Sequence, residues 1–347
     1  MEFRLLNDID YFSMKISNIE GNIRTTPSRA FKRINSQYDN SYFTEILTSV
    51  RHDNLKGQIN YDLFDRNIER KIKNNENNQN INILTFFGDK ETDISEISKF
   101  EDIGLIDNFE KLFNDNLISM PFALSLYNKN NYDTIYSQIK TSYDQFVTSV
   151  STKNIFCYLP VYIDYKKIRD FLNFYSDKDL GTVYHSGGTY NAIPVYADFK
   201  RSNPDAFKRS VAMLQKLKKE FIKDGFYPIY YAANISRPRL SDKKYNVIAK
   251  EFMLSFLGFD IIGTSMAYQP REGKGYPQNN KYLNFDLNTF NYFYKNNDKI
   301  KRKEADINKA QILNAQTNFL NNTMTKSSPT NELNKRPEAK KYIQTYG

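Results

Sequence analysis

Two aspartates close short apolar runs in the middle of the chain. Asp164 follows Val161-Tyr162-Ile163, and Asp198 follows Val195-Tyr196-Ala197. Paired carboxylates can divide the work of nucleophile or base from that of acid when their surroundings separate their proton affinities. Asp89, with Glu91 two positions on, follows another apolar run at 81–87. Asn234, Arg237 and Arg239 follow the run 227–233. Two guanidinium groups at that spacing suit a phosphate or carboxylate, which arginine grips with two parallel hydrogen bonds. Ser265 and Tyr268 come after the run that starts at Phe259, with the Tyr268 ring suited to stack on or bound a base. His185 offers an imidazole as acid partner beside Ser186, Gly187 and Gly188. Each of these residues also has a plain structural use: aspartates cap helices, arginines pair with surface acids, and a histidine in a glycine loop is solvated.

Several chemistries lack the residues they need. His52 and His185 are the only histidines and Cys157 is the only cysteine, so no zinc ligand set exists. Cys157 lies in the apolar run 155–159 and reads as a small buried hydrophobe. No Gly-x-Ser-x-Gly elbow, Gly-x-Gly-x-x-Gly fingerprint or Walker loop appears. Neither a metal nor a cofactor is expected.

Spacing is what places these residues at strand ends. The runs 194–199, 227–233 and 259–265 start about 33 residues apart, room for a strand and a crossover helix. A strand is also expected at 81–87, with others at 11–16, 117–126 and 155–164. Helices are expected at 132–150, 165–175, from Asn203-Pro204-Asp205 to Gly225, and from Ser241-Asp242 to Gly258. Short helical stretches are expected at 43–50 and 63–72. The segment 176–191 reads as a long connection, and 282–294 as a final strand and helix. The fold expected is α/β, a (β/α)8 TIM-like barrel over 1–297 with a basic helical extension at 298–347. An open doubly wound parallel sheet is the alternative. In either, the strands' C-terminal ends carry the site.

At Ser186, Gly187 and Gly188, and in the strand–helix series around them, the chain resembles the tRNA-guanine transglycosylase superfamily. That resemblance implies a (β/α)8 barrel, exchange of a guanine for a deazaguanine base in nucleic acid, a strand-end aspartate nucleophile and a second acid. Ser186, Gly187 and Gly188 match the Ser-Gly-Gly near the family's base pocket, and Asp198 takes the nucleophile's place. His185 stands where the family carries an aspartate, and the family's zinc-binding cysteines are absent.

The chain has 347 residues and a formal charge of +9; the segment 298–347 holds ten Lys/Arg against five Asp/Glu, a net +5 of that total. Attraction to nucleic acid follows from this balance, although an Asn-, Lys- and Ile-rich composition without Trp also fits coding bias. No run is long enough to span a bilayer, and the first residues do not read as a signal peptide. A cytoplasmic protein with no membrane partner is expected; no feature sets its oligomeric state. The function expected is a nucleotide- or nucleic-acid-directed enzyme, of the guanine/7-deazaguanine base-exchange type. The alternative is a non-catalytic barrel scaffold that binds nucleic acid or protein.

Overall fold

The run Ile155-Phe156-Cys157-Tyr158-Leu159-Pro160 is buried at every position, as befits a parallel strand covered on both faces. It is one strand of a large, curled, mostly parallel sheet, and the architecture is mixed α/β. The computed structural model describes residues 2–6, 14–17, 23–31, 43–50, 66, 81–88, 117–119, 132–149, 155–161, 163–199, 204–235, 246–263, 281–296, 302–323 and 329–346. In chain order the strands are β1 (Glu2–Leu5), β2 (Met14–Ser17), β3 (Ile23–Thr26), β4 (Ser28–Phe31), β5 (Phe43–Val50), β6 (Ile81–Gly88), β7 (Leu117–Ser119) and β8 (Ile155–Pro160). They continue with β9 (Thr182–His185), β10 (Gly188–Asp198), β11 (Phe226–Ala233), β12 (Asn246–Ile248), β13 (Ile261–Ile262), β14 (Lys281–Asp286) and β15 (Asn291–Asn296). The helices are α1 (Tyr132–Ser149), α2 (Tyr165–Ser176), α3 (Pro204–Lys223), α4 (Lys250–Met253), α5 (Arg302–Thr323), α6 (Pro329–Asn334) and α7 (Pro337–Gln344).

Parallel ladders join β4 to β5, β5 to β6, β6 to β7, β7 to β8 and β8 to β10. β10 also pairs with β11, β11 with β13, and β13 with β4, all parallel. Beyond them β9, β1, β2 and β3 extend the sheet from the first half of β10.

Register assigns the faces, because partner positions on neighbouring strands point the same way. Tyr196 pairs with Tyr158 and Tyr231, Tyr231 with Ile261, Ile261 with Ser28, Ala30 with Phe43, and Glu45 with Ile83. These residues share the concave face. The opposite face meets the helices: the Tyr230 hydroxyl donates to the Leu214 carbonyl of α3 at 3.1 Å.

The best-marked helix is α3. Pro204 fits its first turn, where an N–H is unneeded, and Asp205 and Lys223 carry charges suited to its two ends. Phe207, Val211, Leu214, Leu217 and Phe221 are all buried. Gly225, at φ +88°, supplies the left-handed residue that ends the element. Lys218 on the same helix reaches inward to Asp260 at 2.8 Å, an ion pair buried at both ends.

A second core gathers Phe252, Phe256, Phe290, Tyr292, Ile312, Leu320 and Leu333 from α4, the turn after it, the β14–β15 turn, β15 and helices α5 and α6. The Arg336 guanidinium lies 4.4 Å over the Phe290 ring. Tyr346, near the end of the chain, joins the main core and meets Phe207.

Four local expectations change. Residues 43–50 form strand β5, not a helix. The connection 176–191 contains the antiparallel hairpin β9–β10. The helix expected from Ser241 is the strand β12 followed by the short α4. The strand and helix expected at 282–294 are instead the antiparallel pair β14 and β15. The helical stretch expected at 63–72 lies outside the described residues apart from Arg66.

Candidate functional site

Asp198 is the last residue of β10 and points to the concave face, with no exposed surface. The Tyr158 hydroxyl donates to its Oδ2 at 3.1 Å, and Asn234 Nδ2 donates to its Oδ1 at 2.8 Å. These donors arrive because β8 and β11 flank β10: Tyr158 is paired with Tyr196, and Asn234 follows directly on β11. Asn234 holds a positive φ of 59°, a backbone conformation that asparagine tolerates better than most residues. The ladder also pins the strand's end. The Val161 N–H donates to the Asp198 carbonyl at 3.3 Å and the Phe199 N–H to Ala233 at 3.0 Å.

A second carboxylate lies on the same face of the sheet. Glu45 of β5, 4% exposed, accepts a hydrogen bond from the Tyr231 hydroxyl of β11. Gly263, just past β13, makes their meeting feasible. A Cβ there would stand 2.7 Å from the Tyr231 ring and 3.0 Å from the Glu45 carboxylate. The Tyr231 ring meets Tyr196 edge-on at 5.1 Å, and Asn234 Nδ2 lies 3.4 Å from the Tyr196 hydroxyl. Glu45 and Asp198 are thus the two ends of one chain of side chains through Tyr231, Tyr196 and Asn234.

The tyrosines register both acids. Burial pushes the Tyr196 hydroxyl far above its usual pKa, and Asp198 and Glu45 push it further by repulsion of the phenolate. The Tyr231 hydroxyl is raised in the same way, by burial first and then by Glu45. Both phenols therefore stay protonated, and the Tyr231 hydroxyl keeps donating to Glu45.

Of the residues selected from sequence, the structure brings Asp198 and Asn234 together. Asp164 caps α2, accepting from the Lys166 N–H at 3.0 Å. His185, Ser186, Gly187 and Gly188 form the turn region between β9 and β10. There the Gly187 N–H donates to His185 Nδ1 at 3.1 Å and the imidazole stacks on Tyr190 at 4.3 Å. Gly188 begins the strand that Asp198 ends. At about 3.3 Å per residue their separation is on the order of 30 Å. An acid partnership of His185 with Asp198 therefore has no geometric support. Asp89, Arg237, Arg239, Ser265 and Tyr268 lie outside the described residues.

Glu45, Tyr158, Tyr196 and Tyr231 were not singled out by sequence. Tyr158 and Tyr196 sit two positions before Pro160 and Asp198 on strands already recognised, so the alternation of strand side chains was the available signal. Among the described residues no group of three or more His, Cys, Asp or Glu side chains is placed to hold a metal ion. No helix among them is long and apolar enough to cross a membrane. Compared with protein-family models and with curated proteins, the chain matches none.

Proposed function

We propose that the chain is a nucleotide- or nucleic-acid-directed enzyme on a (β/α)8 TIM-like barrel, exchanging a guanine or 7-deazaguanine base with Asp198 as nucleophile. The observation that carries this reading is the setting of Asp198: buried at a strand's C-terminal end, with each carboxylate oxygen fixed by a neutral donor. The barrel reading draws on the succession of parallel ladders from β4 to β13 and from β13 to β4. A net charge of +9 favours a polyanionic substrate.

In this reaction an Asp198 oxygen attacks the sugar carbon that holds the base. The base leaves with the bonding pair and gains a proton, and a glycosyl ester with Asp198 remains. The incoming base then attacks the same carbon, loses a proton and releases the carboxylate. Tyr158 and Asn234 keep the attacking oxygens in one orientation, which removes part of the entropic cost of the encounter.

Incorporation of radiolabelled guanine into guanine-containing DNA and RNA tests the reading. The wild-type chain incorporates label, and Asp198→Asn lowers the rate by about 10⁴-fold, as loss of a nucleophile does. Absence of wild-type exchange, or undiminished exchange by Asp198→Asn, overturns it.

A further inference from the structure

Among the described residues three large hydrophobic side chains stand exposed: Leu6, Ile23 and Tyr184. Sheet register gathers them on one face. β9, β1, β2 and β3 lie side by side, with Tyr184 paired to Arg4, Arg4 to Lys15, and Lys15 to Thr25. Partner positions point the same way, so an exposed ring and two exposed cations stand in one row on three neighbouring strands. Ile23 lies two positions from Thr25, and Leu6 two positions from Arg4, just past β1; strand alternation keeps both on this side. The residues between them in phase, Phe3, Ile16 and Val183, are buried and take the opposite side. Apolar residues scattered singly over a surface are ordinary, but ones gathered on one face mark a place that binds.

The row also selects its occupant. An exposed aromatic ring gives a base a surface to stack on, and neighbouring arginine and lysine attract the phosphates on either side of it. Glu2 is the one acid at the described positions of this face in the four strands; its exposed pair with Arg4, at 3.0 Å, holds the guanidinium only weakly. A second copy docked face to face would set these cations against their own kind. Duplex bases are stacked on one another, so an unpaired strand is what the ring can reach.

We propose that this face of β9, β1, β2 and β3 binds single-stranded nucleic acid, with Tyr184 stacked on a base and Arg4 and Lys15 on phosphates. A strand crossing from Tyr184 to Ile23 covers three inter-strand steps, on the order of 14 Å, and passes over both cations. Tyr184 is paired with Thr189 at the start of β10, on the order of 30 Å along that strand from Asp198. The face is therefore separate from the Asp198 site, and the proposal needs none of the base-exchange chemistry.

Fluorescence anisotropy on the full chain tests it with a labelled oligothymidylate of about 12 nucleotides, within the range of known single-strand sites, and a duplex of equal length. The single strand binds. Tyr184→Ala weakens it about tenfold, as loss of one base stack does, and leaves the duplex unchanged. Tyr184→Phe, which keeps a ring, retains wild-type affinity. Arg4→Gln with Lys15→Gln weakens binding and flattens the slope of log affinity against log salt by about 1.4, the share of two phosphate contacts on a single strand. This double variant carries the test should Tyr184→Ala fail to fold by circular dichroism. No binding of the single strand, a folded Tyr184→Ala that binds as well as wild type, or a salt slope untouched by the double change overturns the proposal. So does displacement of the oligonucleotide by poly-L-glutamate as readily as by unlabelled oligothymidylate, which assigns the face to acidic protein. The labelled-guanine assay keeps the two claims apart. A chain that binds through Tyr184 but exchanges no base keeps the face and loses the reaction. Base exchange in a chain whose strand binding ignores Tyr184 keeps the reaction and loses the face.

Discussion

Asp198 and Asp260 are equally hidden from solvent, yet their neighbours give them opposite characters. Asp260 accepts from the Lys218 ammonium and from the Tyr230 N–H, each at 2.8 Å. Lys218 also donates to the Gly258 carbonyl at 2.9 Å and lies over the rings of Tyr227 and Tyr230. Burial pushes the Lys218 pKa down and the Asp260 pKa up, each opposed by attraction to the other. That pair ties α3 to the start of β13 on the face covered by helices. The described donors to Asp198 are instead a phenol and an amide, both neutral. Burial of an acid therefore does not by itself mark a site; the groups around it give it its character.

The difference between the two acids is most exposed at the ion pair. Asp260→Ala leaves the Lys218 ammonium buried without its carboxylate and costs about 3–5 kcal/mol in urea unfolding. The double change Lys218→Met with Asp260→Leu costs far less, because no charge is left stranded. A loss as small for the single variant as for the double would erase the distinction. Gly263→Ala comes next. Its added Cβ forces Tyr231 and Glu45 apart and costs about 1–3 kcal/mol. An unchanged urea midpoint would mean that the Tyr231–Glu45 contact does not depend on this gap.

Alkaline titration probes the same contrast, since a tyrosine reports on each aspartate. Tyr230 beside Asp260, and Tyr196 and Tyr231 on the concave face, are all raised, by burial first and by the neighbouring acids second. The folded chain then holds phenolic protons that the unfolded chain, with tyrosines near pKa ~10, releases. Stability is full below pH ~10 and falls as pH rises, by about 1.4 kcal/mol per unit for each such tyrosine. Urea midpoints measured across that range check the slope, and a flat profile would refute it. The smallest effect belongs to Asp198→Asn. Stability changes by no more than about 1 kcal/mol, because Asn keeps an acceptor and the size of the side chain. A loss comparable to that of Asp260→Ala would make Asp198 a structural acid.

Much of this contrast was legible in the sequence on one side only. Asp198 stood out because an apolar run ends on it, and Asn234 because it follows the next run; register then brought the two together. Glu45 was hidden by the pattern around it. Phe43, Ile46, Leu47 and Val50 recur at helical spacing, while the alternation that would betray a strand is blurred when both faces are covered. The β-branched residues Thr44, Ile46, Thr48 and Val50 at alternate positions were the better signal. The hairpin at His185, read from sequence as part of a long connection, has a turn signal in Ser186-Gly187-Gly188 between β-prone stretches. The Lys218–Asp260 pair joins residues 42 positions apart. Nothing local to either residue foretells the other.

β10 begins in a hairpin with β9 and ends on Asp198, so one uninterrupted strand serves two neighbourhoods. Successive side chains of a strand alternate between faces, and a slip of one position exchanges inside for outside. The distant turn thereby fixes the phase of the whole strand. Its role is that of an anchor point, deciding whether the acid far along the same ribbon looks to the concave face or back toward the helices.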